Sequence, residues 1–235
     1  MKRKGGLGWL PESLSGSIHT PEHEFWTKLN LKDAVIYDVG AFQGLLTLFF
    51  ASRGKQVISF EPNSKNNARL TENIQLNQLN NVLIRKVGLG SHSGSATMVA
   101  SPLMPGGASI ETSTVEGLQN SNMQAQTESI TVTTIDQDIQ EHSLPAPDFI
   151  KVDVEGLELP VLQGARETLV QYKPRLFLEM HGETLNLKRQ NVAAIVRYLL
   201  DIGYGSILHV ETGTRLGVEN SAVAAEGHLY CQWQK

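Results

Sequence analysis

The 235-residue sequence has a single cysteine, Cys231, so no disulfide can form within it. That fits a reducing compartment, and a cytoplasmic location is expected. There is no long hydrophobic run either. The most apolar stretch, Leu45–Ala51, is far shorter than the roughly 20 residues that cross a bilayer. Basic charge is not in surplus: 20 Lys and Arg stand against 24 Asp and Glu, for a net charge of −4. Without a positive surface to release counterions from phosphates, a nucleic-acid partner is not expected. The start, Met1-Lys2-Arg3-Lys4, is basic but leads into glycines and Trp9-Leu10-Pro11-Glu12, without the apolar core of a secretory signal. Two catalytic signatures are missing as well. No G-x-G-x-x-G follows a strand, which argues against a nicotinamide oxidoreductase. Gly90-Ser91-His92-Ser93-Gly94 puts histidine where a hydrolase elbow needs its serine.

What is present is an alternation. Short apolar runs at Val35–Val39, Gln56–Phe60, Val82–Val87, Asp148–Val154 and Arg175–Met180 read as strands buried on both faces. Ser206–Val210 and His228–Trp233 add two more, and Ile130–Ile135 alternates as a strand would. Helical spacing is expected around Glu22–Leu29, over Leu45–Ser52, from Pro62 to about Leu76, over Leu159–Val170 and over Val192–Gly203. Residues 1–33 read as a lead segment and residues 34–235 as one α/β domain, a mostly parallel sheet with helices on both faces. Between Ser91 and Ser129 the residues turn to Ser, Thr, Gly and Pro, the composition of a loop or hairpin insertion.

Ligands of such sheets bind beyond the carboxyl ends of the strands, so the residues following each strand are the ones to read. Asp38-Val39-Gly40-Ala41-Phe42-Gln43-Gly44 is a D-x-G-x-x-x-G loop between a strand and a helix. Its glycines let backbone approach a ligand, while its acid suits an amine or sulfonium rather than a pyrophosphate. Phe60-Glu61-Pro62 places an acid 23 residues after Asp38, where a carboxylate can accept from both hydroxyls of a ribose. The run Lys151-Val152-Asp153-Val154-Glu155-Gly156-Leu157-Glu158 brings three carboxylates and a lysine to the sheet's carboxyl edge, a costly crowd unless it has a task or partners. Glu179 and His181 end the neighbouring strand.

These segments, with Val161-Leu162-Gln163-Gly164-Ala165, resemble the FkbM family of S-adenosylmethionine-dependent methyltransferases over roughly residues 34–182. The resemblance implies a class I, seven-stranded Rossmann-like fold and usually O-methylation of sugars, glycolipids or polyketide-type products. It places Asp38, Gly40 and Gly44 at the methionine end of the cofactor, Glu61 on the ribose, Asn63 and a Gly88-Leu89 turn near the nucleoside, and Asp153 near sulfonium and acceptor. The family commonly carries a small polar residue where this chain has Phe42. A sugar hydroxyl needs a base as it reacts. His181 leads because it titrates in the useful range, and Glu155 comes next. A divalent ion between Asp153, Glu155 and Glu179 is conceivable, but no metal is assigned. A nucleoside-binding module without catalysis would keep Asp38 to Glu61 yet need no acids at Asp153–Glu158. A small-molecule acceptor is expected, an oligomer is left open, and nothing from Ser91 to Ser129 identifies the acceptor.

Overall fold

In the computed structural model, residues 20–100, 108–109 and 126–234 are described. Seven strands form the main sheet: β1 (Val35–Val39), β2 (Gln56–Phe60), β3 (Val82–Arg85), β8 (Phe149–Val152), β9 (Arg175–Glu179), β10 (Ser206–His209) and β11 (His228–Gln232). Their order is β10-β11-β9-β8-β1-β2-β3, and β11 runs antiparallel to both its neighbours while the other pairings are parallel. Strand order reverses between β1 and β8, the switch point where a crevice opens at the carboxyl edge.

The central strands are buried along their length because both faces are covered, and only Asp38 of β1 and Lys151 of β8 interrupt their apolar runs with charge. On one face Val35, Tyr37 and Val39 pack with Val161 and Leu162 of α5 (Glu158–Gln163), Leu169 of α6 (Arg166–Tyr172), and Val192, Ile195, Val196 and Leu199 of α7 (Leu185–Ile202). On the other, Ile36, Val57, Phe149 and Phe177 meet Phe49 and Phe50 of α2 (Leu45–Ala51) and Trp26 of α1 (Pro21–Lys28). Trp26 and Leu31 are both buried, so the core extends N-terminal of residue 34.

Several boundaries move for local reasons. The helix after β2 is α3 (Ser64–Leu76), because the Asn63 side chain accepts from Lys65 N and Asn66 N and so caps it. Ile135 leaves the expected strand to open α4 (Ile135–His142), capped by Thr134, which accepts from Gln137 N. The expected Leu159–Val170 helix is two helices. They part at Gly164, where a Cβ would lie 2.0 Å from the Gly90 carbonyl oxygen, so close packing interrupts the helical run. Thr184 caps α7, which therefore starts seven residues before Val192.

A second sheet, ordered β4-β7-β5-β6, joins β4 (Gly88–Leu89), β5 (Gly94–Ala100), β6 (Ala108–Ser109) and β7 (Gln126–Thr133). Strands β5 and β7 pair antiparallel over seven residues. Pro102, Pro105 and Gly106-Gly107 lie outside the described residues. Among the described residues no helix is long and apolar enough to cross a membrane.

Candidate active site

The carboxyl ends of β1 and β2 build one half of the site. Gly40, at φ 75°, follows β1, and a Cβ there would sit 1.8 Å from the Asp153 carbonyl oxygen. The glycine loop and the acidic segment after β8 therefore touch, backbone against backbone, only because residue 40 has no side chain. Gly44, at φ 85°, is the N-cap of α2. Between them Phe42 also has positive φ, 50°, a conformation that costs a non-glycine residue on the order of 1–2 kcal/mol.

Glu61 holds that loop. It is 5 % exposed, and its two carboxylate oxygens accept from Phe42 N and Asn63 N, both at 2.9 Å. Burial pushes its pKa up to about 7, against the lowering effect of those two N–H donors. Each oxygen keeps a further lone pair for a hydroxyl donor. A fixed carboxylate with two accepting oxygens beside a glycine loop fits a nucleoside ribose. Asn63 lies beside it, but its side chain is committed to capping α3 and reaches Glu128 of β7 at 3.4 Å.

Two expected cofactor contacts have other positions. Asp38 does not line the crevice. It is 0 % exposed, accepts from Thr47 Oγ1 at 2.5 Å, and lies 3.6 Å from Lys151 Nζ. Its register partner on β8 is Lys151, so both side chains leave the sheet on one face and meet beneath the loop. Gly88-Leu89 is not a turn but the buried strand β4, paired with Val132 and Thr133.

Lys151 links the two halves. Its ammonium donates to the Gly40 carbonyl at 3.0 Å and pairs with Asp153 at 3.1 Å. Burial works against the charge, but Asp153 and Asp38 hold the lysine above its ordinary pKa. In the sequence it stood out as the lysine crowded with three carboxylates at the sheet's carboxyl edge, without a partner assigned.

Beyond β8 and β9 lies the second half. Glu155, at φ 51°, and Gly156, at φ 98°, turn the chain before α5. Glu158, 1 % exposed, bonds His181 Nδ1 at 2.9 Å. His181 Nε2 then faces Asp153 Oδ1, Glu155 Oε2 and Glu179 Oε1, each at 3.7 Å. The structure thus brings together all three residues expected to carry catalysis, and adds Glu158 and Glu179. It corrects the expectation that His181 titrates near neutrality. Burial opposes the imidazolium, yet Glu158, Asp153 and Glu155 carry its pKa up to about 9. At neutral pH the free protein holds it charged, and it has no lone pair for an acceptor's proton. Glu179 lies at the other extreme. Burial raises its pKa, but His228, 3.8 Å away, with the charges of His181 and Lys151, brings it down to about 2.

The geometry of a glycine loop, a ribose-type acid and an acidic edge agrees with the comparison with known proteins, in which the Methyltransferase FkbM domain matches residues 38–205. The chain belongs to the FkbM methyltransferase family. Over 153 residues it is 34% identical to the hexuronic acid methyltransferase AglP of Haloferax volcanii, covering 64% of this chain and 57% of that protein. The crystal structure of methyltransferase FkbM from Methylobacillus flagellatus superposes with a TM-score of 0.56 at 22% identity, over 90% of this chain and 50% of that one. The SMU.1697c protein of Streptococcus mutans, in complex with SAH, has a TM-score of 0.50 at 10% identity over 92% of this chain and 99% of that one. Both show the shared class I methyltransferase fold. The chain thus spans little more than half the length of AglP and half that of the Methylobacillus protein.

Proposed function

We propose that this chain transfers a methyl group from S-adenosylmethionine to an oxygen of a small carbohydrate-type acceptor. The observation that carries the reading is the contact of Gly40 with Asp153, which sets a ribose-type acid and an acidic reaction edge on either side of one backbone contact. Family membership supports methyl transfer, and the hexuronic acid methyltransferase relative supports a sugar acid or sugar hydroxyl as acceptor.

S-adenosylmethionine, when bound, supplies a methyl group on a positively charged sulfur. Glu61 accepts from the ribose hydroxyls with the lone pairs its backbone donors leave free. The loop Gly40–Gly44 presents backbone close to the ligand, braced from below by Lys151 on the Gly40 carbonyl. Asp153 orients the acceptor oxygen, and most of the rate comes from that placement. Glu155 and Glu179 are the open members of the cluster, with 42% and 41% of their side chains exposed. Burial holds Glu155 above the ordinary carboxylate pKa while Glu179 is brought down to about 2, so Glu155 is the one that takes the proton. His181, closed in by carboxylates at both ring nitrogens, fixes the carboxylates' positions instead.

The test is incubation with methyl-labelled S-adenosylmethionine and a panel of uronic acids, neutral sugars and their glycosides. Label in a sugar product supports the reading. Label in no member of the panel, with the cofactor bound, overturns the carbohydrate acceptor. No binding of the cofactor or its demethylated product in calorimetry overturns methyl transfer itself.

A further inference from the structure

Glu61 owes the position of one carboxylate oxygen to the backbone N–H of Asn63, and Asn63 is held in part from the second sheet. Asn63 precedes α3, whose first N–H groups find no partner inside the helix. Its side-chain oxygen accepts from two of them, Lys65 N at 3.1 Å and Asn66 N at 3.0 Å, and leaves Ser64 N over. Glu128 of β7 takes that third donor. Its two oxygens lie 3.3 and 3.1 Å from Ser64 N. One of them also accepts from Ser64 Oγ, and the other accepts from Asn63 Nδ2 at 3.4 Å. Met98 of β5, buried, places its sulfur 3.8 Å from the same Asn63 nitrogen. Burial raises the Glu128 pKa, but the hydroxyl and N–H of Ser64 bring it below its ordinary value. The carboxylate is therefore charged, as the positive end of a helix dipole favours.

We propose that Glu128 is a positioning residue for the cofactor: from the second sheet it holds Asn63 and Ser64 so that the Asn63 N–H stays aimed at Glu61. It acts through Asn63, and the inference rests on the reading of Glu61 as the ribose acid. A carboxylate that served α3 alone would need only Ser64. This one reaches Asn63 as well, the residue whose N–H meets Glu61 at 2.9 Å. Glu61 has one backbone donor from each side, Phe42 N from the glycine loop and Asn63 N from the start of α3. With both in place the carboxylate plane is fixed, and its remaining lone pairs point in set directions. With the Asn63 donor displaced, the group is held at one oxygen and turns about it. The second sheet thereby contributes to cofactor binding through a chain of hydrogen bonds, and charge on Glu128 strengthens the link it makes.

The experiment measures S-adenosylhomocysteine affinity of the full chain by calorimetry, together with its amide proton–nitrogen spectrum. Glu128→Asp keeps the charge but loses the reach of one methylene, whereas Glu128→Gln keeps the reach and one accepting oxygen. Affinity should fall about tenfold in Glu128→Asp and stay within about threefold in Glu128→Gln. In Glu128→Asp the Asn63 amide proton should move upfield, while that of Phe42, bonded to the other oxygen of Glu61, keeps its place. Circular dichroism shows whether each variant is folded. If Glu128→Asp is not, Ser64→Ala removes one of the donors to Glu128 and should move the Asn63 amide the same way by less. Unchanged affinity in a folded Glu128→Asp overturns the inference alone. A tenfold loss with the Asn63 amide unmoved overturns it too, since the loss then travels by another path. An unmodified protein that binds no S-adenosylhomocysteine defeats the ribose reading of Glu61, and the inference with it.

Discussion

The two halves of the crevice are built by different means. On the β1–β2 side, geometry is carried by backbone: glycines at positive φ and one buried carboxylate whose two oxygens each accept an N–H. On the β8–β9 side it is carried by charge, five residues whose carboxylates and imidazole hold one another at 2.9–3.7 Å. Backbone scaffolds resist electrostatic substitution but not added volume, whereas a charge cluster tolerates volume and fails when one charge is lost. The first suits a ligand that is the same at every turnover, the second a step in which charge moves.

The sharpest way to break this contrast is Gly40→Ala. A methyl group 1.8 Å from a carbonyl, added to a positive-φ strain of about 1–2 kcal/mol, forces the loop from β8. Binding of S-adenosylhomocysteine should fall at least a hundredfold in calorimetry, and near-normal affinity would show that the loops do not need their contact. Next comes Asp153→Asn, which keeps the volume and removes the charge. Turnover should drop on the order of a hundredfold while S-adenosylhomocysteine affinity stays within about threefold. A parallel loss of both would merge the two halves into one unit.

Glu61→Gln crosses the boundary, because it alters charge on the backbone-built side. It should weaken S-adenosylhomocysteine binding by about 1.5–3 kcal/mol at pH 8, the range for hydrogen bonds to a charged group. With a pKa of about 7, Glu61 is ionised above that pH and protonated below it. Affinity of the unmodified protein should therefore fall as pH drops through 7, and the Gln variant should lose that component of the pH dependence. The same shift has a stability sign. A carboxyl raised from about 4.5 to about 7 favours the fold fully below pH 4.5, and that contribution is lost as pH rises through 7. Thermal unfolding of Glu61→Gln should accordingly lose less stability than the unmodified protein between pH 5 and 8. The smallest effect is at Phe42. Asn tolerates its φ of 50°, so Phe42→Asn should stabilise by up to about 1 kcal/mol, a rise of a few degrees in Tm. A lower Tm would mean that the ring's packing outweighs the strain.

The pattern of residues alone determined the sheet. Runs such as Val35–Val39 and Gln56–Phe60 are mostly apolar on both faces because helices cover both, and no polar alternation was needed to locate them. The position of the site followed from the same strands, since whatever succeeds a parallel strand lies at its carboxyl edge. Helix starts were less legible, because Asn63, Thr134 and Thr184 cap through one or two side-chain hydrogen bonds that apolar periodicity does not register. What only the tertiary structure decided is which charged group meets which. Lys151 bridges Asp38 and Asp153 because β1 and β8 are in register, and Asp38 is thereby buried rather than presented to a ligand. His181 is cationic because Glu158, 23 residues earlier, and three further carboxylates converge on it. The ionisation of a side chain depends on distances across the fold, and distances between strands are not written in any local stretch of sequence.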